Sequence, residues 1–249
     1  MSPAHDTMPF LEHLGELRTR IVRSLVAVLV AVPIGFWASP HVLDFLSRPI
    51  KASGHALVFV TVTEAFWTQM KIALFLALFV AAPAILWQVW RFVEPGLHPH
   101  EKRYAVPFVV VGSLMFIAGG AFSLLVVTPN AVTFLLSYAR PGLQPMISIG
   151  GYIDFLLKFT LAFGAVFEVP IAMTLAARLG LVTPQALARN RKYAVLGAFI
   201  AAAVLTPTPD IVNQSLMAGP IILLYEVGIL SARLFRRRAV APQPASEPA

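Results

Sequence analysis

Four groups of polar side chains in this sequence have types and spacings that could do chemistry. The first is Pro9-Phe10-Leu11-Glu12-His13-Leu14-Gly15-Glu16-Leu17-Arg18-Thr19-Arg20. Glu12 and Glu16 are four residues apart, so on a helix their carboxylates share a face and repel mildly. Such a pair suits an external cation. Glu16 also precedes Arg20 by four residues, and an internal ion pair is the alternative. The second group is Arg91-Phe92-Val93-Glu94-Pro95-Gly96-Leu97-His98-Pro99-His100-Glu101-Lys102-Arg103-Tyr104. Glu94-Pro95-Gly96 ends a helix. Glu101, beside two cations, is either part of a solvated charge cluster or a second carboxylate on the same side as Glu16. The third group is Glu168, in Phe167-Glu168-Val169-Pro170, near the middle of an apolar run. The fourth is Thr206 with Asn213 and Gln214, which either bond a partner helix across a membrane or cap their own helices.

Other chemistries leave no trace. The chain has no Walker A loop, no GxGxxG, no HExxH and no GxSxG. It has no cysteine, so thiolate metal sites and a cysteine nucleophile are excluded. His98 and His100 are spaced to bind a metal, but two loop histidines more often bind nothing. The sequence therefore calls for no enzyme activity, no cofactor and no metal.

The elements that position these groups are membrane spans. Of 249 residues, 58% are hydrophobic and 12% charged, and the mean hydropathy is +0.77. A soluble domain is about 45–50% apolar and about a quarter charged. The formal net charge of +7 sits between long apolar runs, which points to membrane topology and not to nucleic acid. Phe10, Leu14, Leu17 and Ile21 recur at helical spacing and predict a short amphipathic surface helix, with Pro9 in its first turn. Its mixture of acids and arginines does not fit a secretory leader, so the N-terminus is expected to be retained.

A membrane-crossing helix needs about 20 apolar residues. Six spans are predicted, at about 24–38, 72–90, 106–127, 155–177, 193–205 and 211–230. They form one polytopic domain over 1–238, followed by a disordered, Pro/Ala-rich tail at 239–249. Of the 19 Lys and Arg residues, 14 fall on the side of the N-terminus and five on the other. That bias places both termini in the cytoplasm. Glu168 lies inside span four, where an ionised acid costs roughly 2.5–3.5 kcal/mol and is a functional candidate by default. The alternative is a neutral acid hydrogen-bonded to a neighbouring helix. Glu226 lies close to the cytoplasmic edge and can snorkel. Tyr193 to Leu205 rises only about 20 Å against a hydrocarbon core of about 30 Å. Either the bilayer thins or partner helices gather there, or flanking polar residues complete the span.

Five stretches together resemble the TatC family, the largest core subunit of the twin-arginine protein translocase. They are "FLEHLGELRTRI", "APAILWQVWRFVEPGLHPHEKRY", "FGAVFEVPIAM", "RKYAVLGAFIAAAVLTPTPD" and "LYEVGILSARL", from Phe10 to about Leu234. The resemblance implies an all-α integral membrane protein of the inner membrane: six helices in a cup, both termini cytoplasmic. It implies a receptor for twin-arginine signal peptides of folded cargo. Such a receptor works with TatA- and TatB-like single-span subunits, self-associates, and draws on the proton-motive force. Carried over by position, Glu16, Arg18, Phe92, Glu101 and Arg103 look like the signal-peptide site. Glu168 matches the family's intramembrane glutamate. Pro49 looks like its proline in the first periplasmic loop. Thr206 and Gln214 look like the cluster where partner helices dock. Glu12 falls outside the motif. A different class of reading is a proton-coupled secondary transporter using Glu168.

Overall fold

The computed structural model describes residues 10–97, 102–140, 145–205 and 211–234. Glu101, Thr206, His98, His100, the Thr-Pro-Thr-Pro-Asp connector and the 239–249 tail lie outside the described residues, as does the side chain of Asn213.

The chain is an all-α membrane protein. Helix α1 runs Phe10–Ala52, α2 Glu64–Val93, α3 Ala105–Phe122 and α4 Thr128–Leu136. Then come α5 at Ile149–Phe167, α6 at Val169–Arg178, α7 at Pro184–Arg189, α8 at Arg191–Leu205 and α9 at Ile211–Leu234. Among the described residues, five helical stretches are long and apolar enough to cross a bilayer: His13–Ala52, Glu64–Gly96, Lys102–Leu136, Ile149–Arg178 and Gln214–Leu234. Helix α8, the remaining crossing, has 15 residues and rises about 22 Å.

The helices outrun the apolar stretches that announced them. The amphipathic segment and the first span form one 43-residue helix, α1, which carries Pro33, Pro40 and Pro49 inside it. Pro49 is therefore a helical residue near the end of α1, which corrects its assignment to a loop. The helix continues past Pro40 because Leu46 and Ile50 are buried against Tyr152, Ile153 and Leu156 of α5. The buried Tyr152 hydroxyl donates to the Leu46 carbonyl at 3.0 Å. Burial of that face offsets the backbone bonds a proline removes.

Span three reaches Leu136 by passing through a π-helical turn, Ser123–Val127, where Thr128 N–H donates to Ser123 O. Pro129 has no N–H to continue the α pattern, and the turn widens in front of it. Span four breaks into α5 and α6 at Glu168, with Pro170 in the first turn of α6. Helix α6 ends at Gly180, whose φ of 75° is the left-handed conformation glycine adopts freely. There Leu181 N–H donates to Ala176 O (3.0 Å) and Gly180 N–H to Ala177 O (3.2 Å), closing a Schellman motif.

Packing relies on small residues. A Cβ on Gly35 would run into the Ala73 carbonyl of α2, and one on Gly119 into the Phe163 carbonyl of α5. These close approaches seat α1 on α2 and α3 on α5, as expected where helices pack without a hydrophobic driving force. Phe159 and Phe163 of α5 pack with Ala198 and Ala202 of α8 and Met217 and Ala218 of α9, which ties the short hairpin to the rest. At the end opposite the N-terminus, Leu57–Val58 (β1) and Ile147–Ser148 (β2) pair as two-residue parallel strands. No hydropathy pattern predicts strands so short.

Candidate functional site

The N-terminal turns of α1 pack against the C-terminal turns of α2. The His13 ring stacks on Phe92, with centroids 4.4 Å apart. Arg20 Nη2 donates to Glu16 Oε1 at 2.9 Å, and Arg20 Nη1 donates to Gln88 Oε1 at 3.4 Å. The internal pair that the spacing allowed is thus formed, but it uses one carboxylate oxygen. Glu16 Oε2 is buried and accepts no hydrogen bond among the described residues; His13 Nδ1 stands 4.0 Å away. Helix α1 thus presents, beside the His13 ring that stacks on Phe92, an acceptor unfilled among the described residues. Arg18 is exposed, about 200° round the helix from Glu16, and the side chain of Glu12 lies outside the described ones.

Glu94, at the end of α2, gathers Arg91 (3.2 Å) and Lys102 (3.9 Å). Arg103 is exposed and donates to the Tyr104 hydroxyl at 3.0 Å. The Arg178 guanidinium, from the last turn of α6, lies over the same Tyr104 ring at 4.3 Å from its centroid. Glu16, Phe92 and Arg103 therefore share one end of the molecule, and Glu101 belongs to the link that ends in Lys102. Gln88 and Arg178 were in none of the groups read from the sequence, and Tyr104 only closed the second; the Arg20–Gln88 and Tyr104–Arg178 contacts span tens of residues and leave no local pattern.

Glu168 sits at the junction of α5 and α6, where it caps both. Its Oε1 is buried without a hydrogen-bond partner among the described residues. Its Oε2 faces α3, where a Cβ on Gly112 would lie 3.4 Å from it. The absent side chain at Gly112 makes room for the carboxyl group. Gln214 Nε2 donates to the Phe199 carbonyl at 3.0 Å and ties the start of α9 to α8. Glu226 is held by Arg191 through a fork, with Nε–Oε1 and Nη2–Oε2 both 2.7 Å.

At the other end, Glu64 accepts from Val60 N–H (2.6 Å), Gly150 N–H (2.8 Å) and the Ser148 hydroxyl, joining the two loops that carry the strands. Its isolated position between Thr63 and Ala65 gave no sequence signal. Among the described residues no three His, Asp or Glu side chains come together to hold a metal ion.

The model of the family described as Sec-independent protein translocase protein (TatC) matches residues 12–220. The chain belongs to the TatC family. A TatC protein of Carboxydothermus hydrogenoformans is 42% identical over 229 residues, covering 92% of this chain and 94% of that one. The TatC protein of Aquifex aeolicus is 39% identical over 235 residues, 93% and 97% of the two chains. That of Escherichia coli K12 is 36% identical over 233 residues, 92% and 90%. A crystal structure described as the twin-arginine translocase receptor TatC superposes with a TM-score of 0.78 at 38% identity. It covers 90% of this chain and all of that one. The six-helix membrane fold expected from hydropathy is the fold of the TatC family. The relatives' names speak for a translocase subunit and not for a secondary transporter using Glu168.

Proposed function

We propose that this protein is the receptor core of a twin-arginine translocase. It binds the paired-arginine signal peptides of folded precursors and, with TatA- and TatB-like single-span subunits, supports their proton-motive-force-driven export. The observation that carries this reading is the match, over nine-tenths of the chain, to a solved twin-arginine translocase receptor. Both termini lie in the cytoplasm, because 14 of the 19 basic residues flank the spans on that side. The protein resides in the inner membrane and catalyses no covalent chemistry.

The recognition site is the cytoplasmic end built by Glu16, Arg18, Phe92, Glu101 and Arg103. Arginine offers a planar fork of donors that matches a carboxylate, whereas lysine is a point charge. Glu16 Oε2 accepts no hydrogen bond among the described residues, and Glu101 supplies the second carboxylate, one for each arginine. The apolar part of the signal lies along the inner wall towards Glu168. Thr206 and Gln214 mark where a single-span subunit docks, and the protein self-associates in the receptor complex.

The test is binding of an Arg-Arg signal peptide and its Lys-Lys twin to the purified protein in nanodiscs, for wild type and Glu101→Ala. A charge-assisted hydrogen bond contributes about 1.5–3 kcal/mol. The variant should then bind the Arg-Arg peptide roughly ten- to a hundred-fold more weakly and lose its preference. Equal affinity of wild type for the two peptides would move recognition to a partner subunit.

A further inference from the structure

Near the same cytoplasmic end, between α3, α6 and α9, lies a groove of about 330 Å³. Its wall includes Tyr104, just before α3, Phe108 and Met115 of α3, and Ile171, Leu175 and Arg178 of α6. From Tyr104 to Met115 it follows one face of α3 for about 16 Å. The interior is almost wholly apolar. The charged side chain of its lining is Arg178, whose guanidinium lies over the Tyr104 ring at 4.3 Å from the centroid.

Trp90, which also lines the groove, is only 3% exposed, and its indole Nε1–H has no acceptor among the described residues. A buried donor left unpaired carries a desolvation cost that an occupant with an oxygen acceptor would remove. A guanidinium group at one end of an apolar groove, with an N–H in its wall that is unpaired among the described residues, describes a particular guest. It has an acyl chain, an ester or phosphate oxygen, and net negative charge at one end. Arginine forks match phosphate as they match carboxylate.

We propose that this groove binds an anionic phospholipid of the cytoplasmic leaflet, with its acyl chain between α3 and α6 and its phosphate at Arg178. A twin-arginine peptide fits the same place poorly. Its arginines would meet Arg178 in the wall of the groove, and like charge disfavours the wrong partner.

The experiment is native mass spectrometry of the full chain in detergent, titrated with phosphatidylglycerol, phosphatidylcholine or glycerol phosphate. Wild type should retain one phosphatidylglycerol about ten-fold more strongly than phosphatidylcholine. Arg178→Gln should abolish that difference and Arg178→Lys should restore part of it. Val111→Trp, which fills the groove from an exposed position, should lower the retention of both lipids. The melting temperatures of all variants without added lipid, compared with wild type, identify any that misfold. Equal retention of the two lipids by wild type overturns the proposal, as does unchanged phosphatidylglycerol retention in a folded Arg178→Gln. Full competition by glycerol phosphate would make the ligand a soluble anion. Displacement of the lipid by an Arg-Arg peptide, but not by its Lys-Lys twin, would make the groove part of the peptide site. Either result overturns it as well.

Discussion

Glu16 uses one of its two oxygens in the fold and leaves the other for the proposed recognition of arginine. Oε1 holds Arg20, which in turn reaches Gln88 on α2. Oε2 remains buried and unfilled among the described residues. Glu16→Gln keeps a carbonyl oxygen for Arg20 but removes the charge that an incoming arginine would meet. It should fold and lose roughly ten-fold or more in Arg-Arg peptide affinity. Arg20→Gln frees both oxygens and should weaken the seating of α1 on α2 instead, read as a lower melting temperature with the Arg-Arg preference kept. If Glu16→Gln binds the peptide as wild type does, the spare oxygen has no role in recognition. Glu168 raises a different question, since its charge and its hydrogen-bonding capacity are separable. Glu168→Gln keeps the second without the first. Transport at the wild-type rate in that variant would rule out any role that needs the ionised form, including drawing water into the bilayer.

At the scale of elements, the helices were legible where hydropathy persists and illegible where packing overrides it. The centres of the five long apolar helical stretches follow from apolar runs. Their ends do not, because α1 continues through Pro40 and Pro49 on the strength of Leu46 and Ile50 packing against α5. The break in span four was marked in the sequence by Glu168-Val169-Pro170. The π turn before Pro129 and the strand pair were not. The Arg20–Gln88, Tyr104–Arg178 and Glu64–Ser148 contacts join residues far apart in sequence and leave no local periodicity. The glycines test the packing directly. Gly35→Ala drives a methyl group into the Ala73 carbonyl, and overpacking of this kind costs about 1–3 kcal/mol. Gly197, on α8, has open space where a Cβ would stand, so Gly197→Ala should leave stability unchanged or slightly raised. Thermal unfolding of the two variants in the same detergent checks this contrast. Equal melting temperatures would mean that α1 and α2 can separate without loss.

For the whole molecule, orientation and bilayer thickness can be read in one experiment, because the chain has no cysteine and single-cysteine variants report without background. Val62 is 92% exposed in the loop between α1 and α2, and Leu181 is 73% exposed in the loop after α6. If both termini are cytoplasmic, a membrane-impermeant maleimide added to intact cells should label Val62→Cys and not Leu181→Cys. Disrupting the membrane should expose both, and the reverse pattern would invert the topology. Val204, 81% exposed near the end of α8, then reports thickness. In the proposed orientation Arg191, held by Glu226, starts α8 at the cytoplasmic side. Thirteen residues later the helix has risen only about 20 Å, so in an unperturbed core of about 30 Å Val204 lies roughly 10 Å short of the far interface. A thiol there cannot ionise, and maleimide reacts with the thiolate. If the bilayer thins around the α8–α9 hairpin, Val204→Cys should be labelled from outside as readily as Val62→Cys. If it stays unlabelled in cells lacking the single-span subunits, the core keeps its thickness there and the short helix is completed by other means.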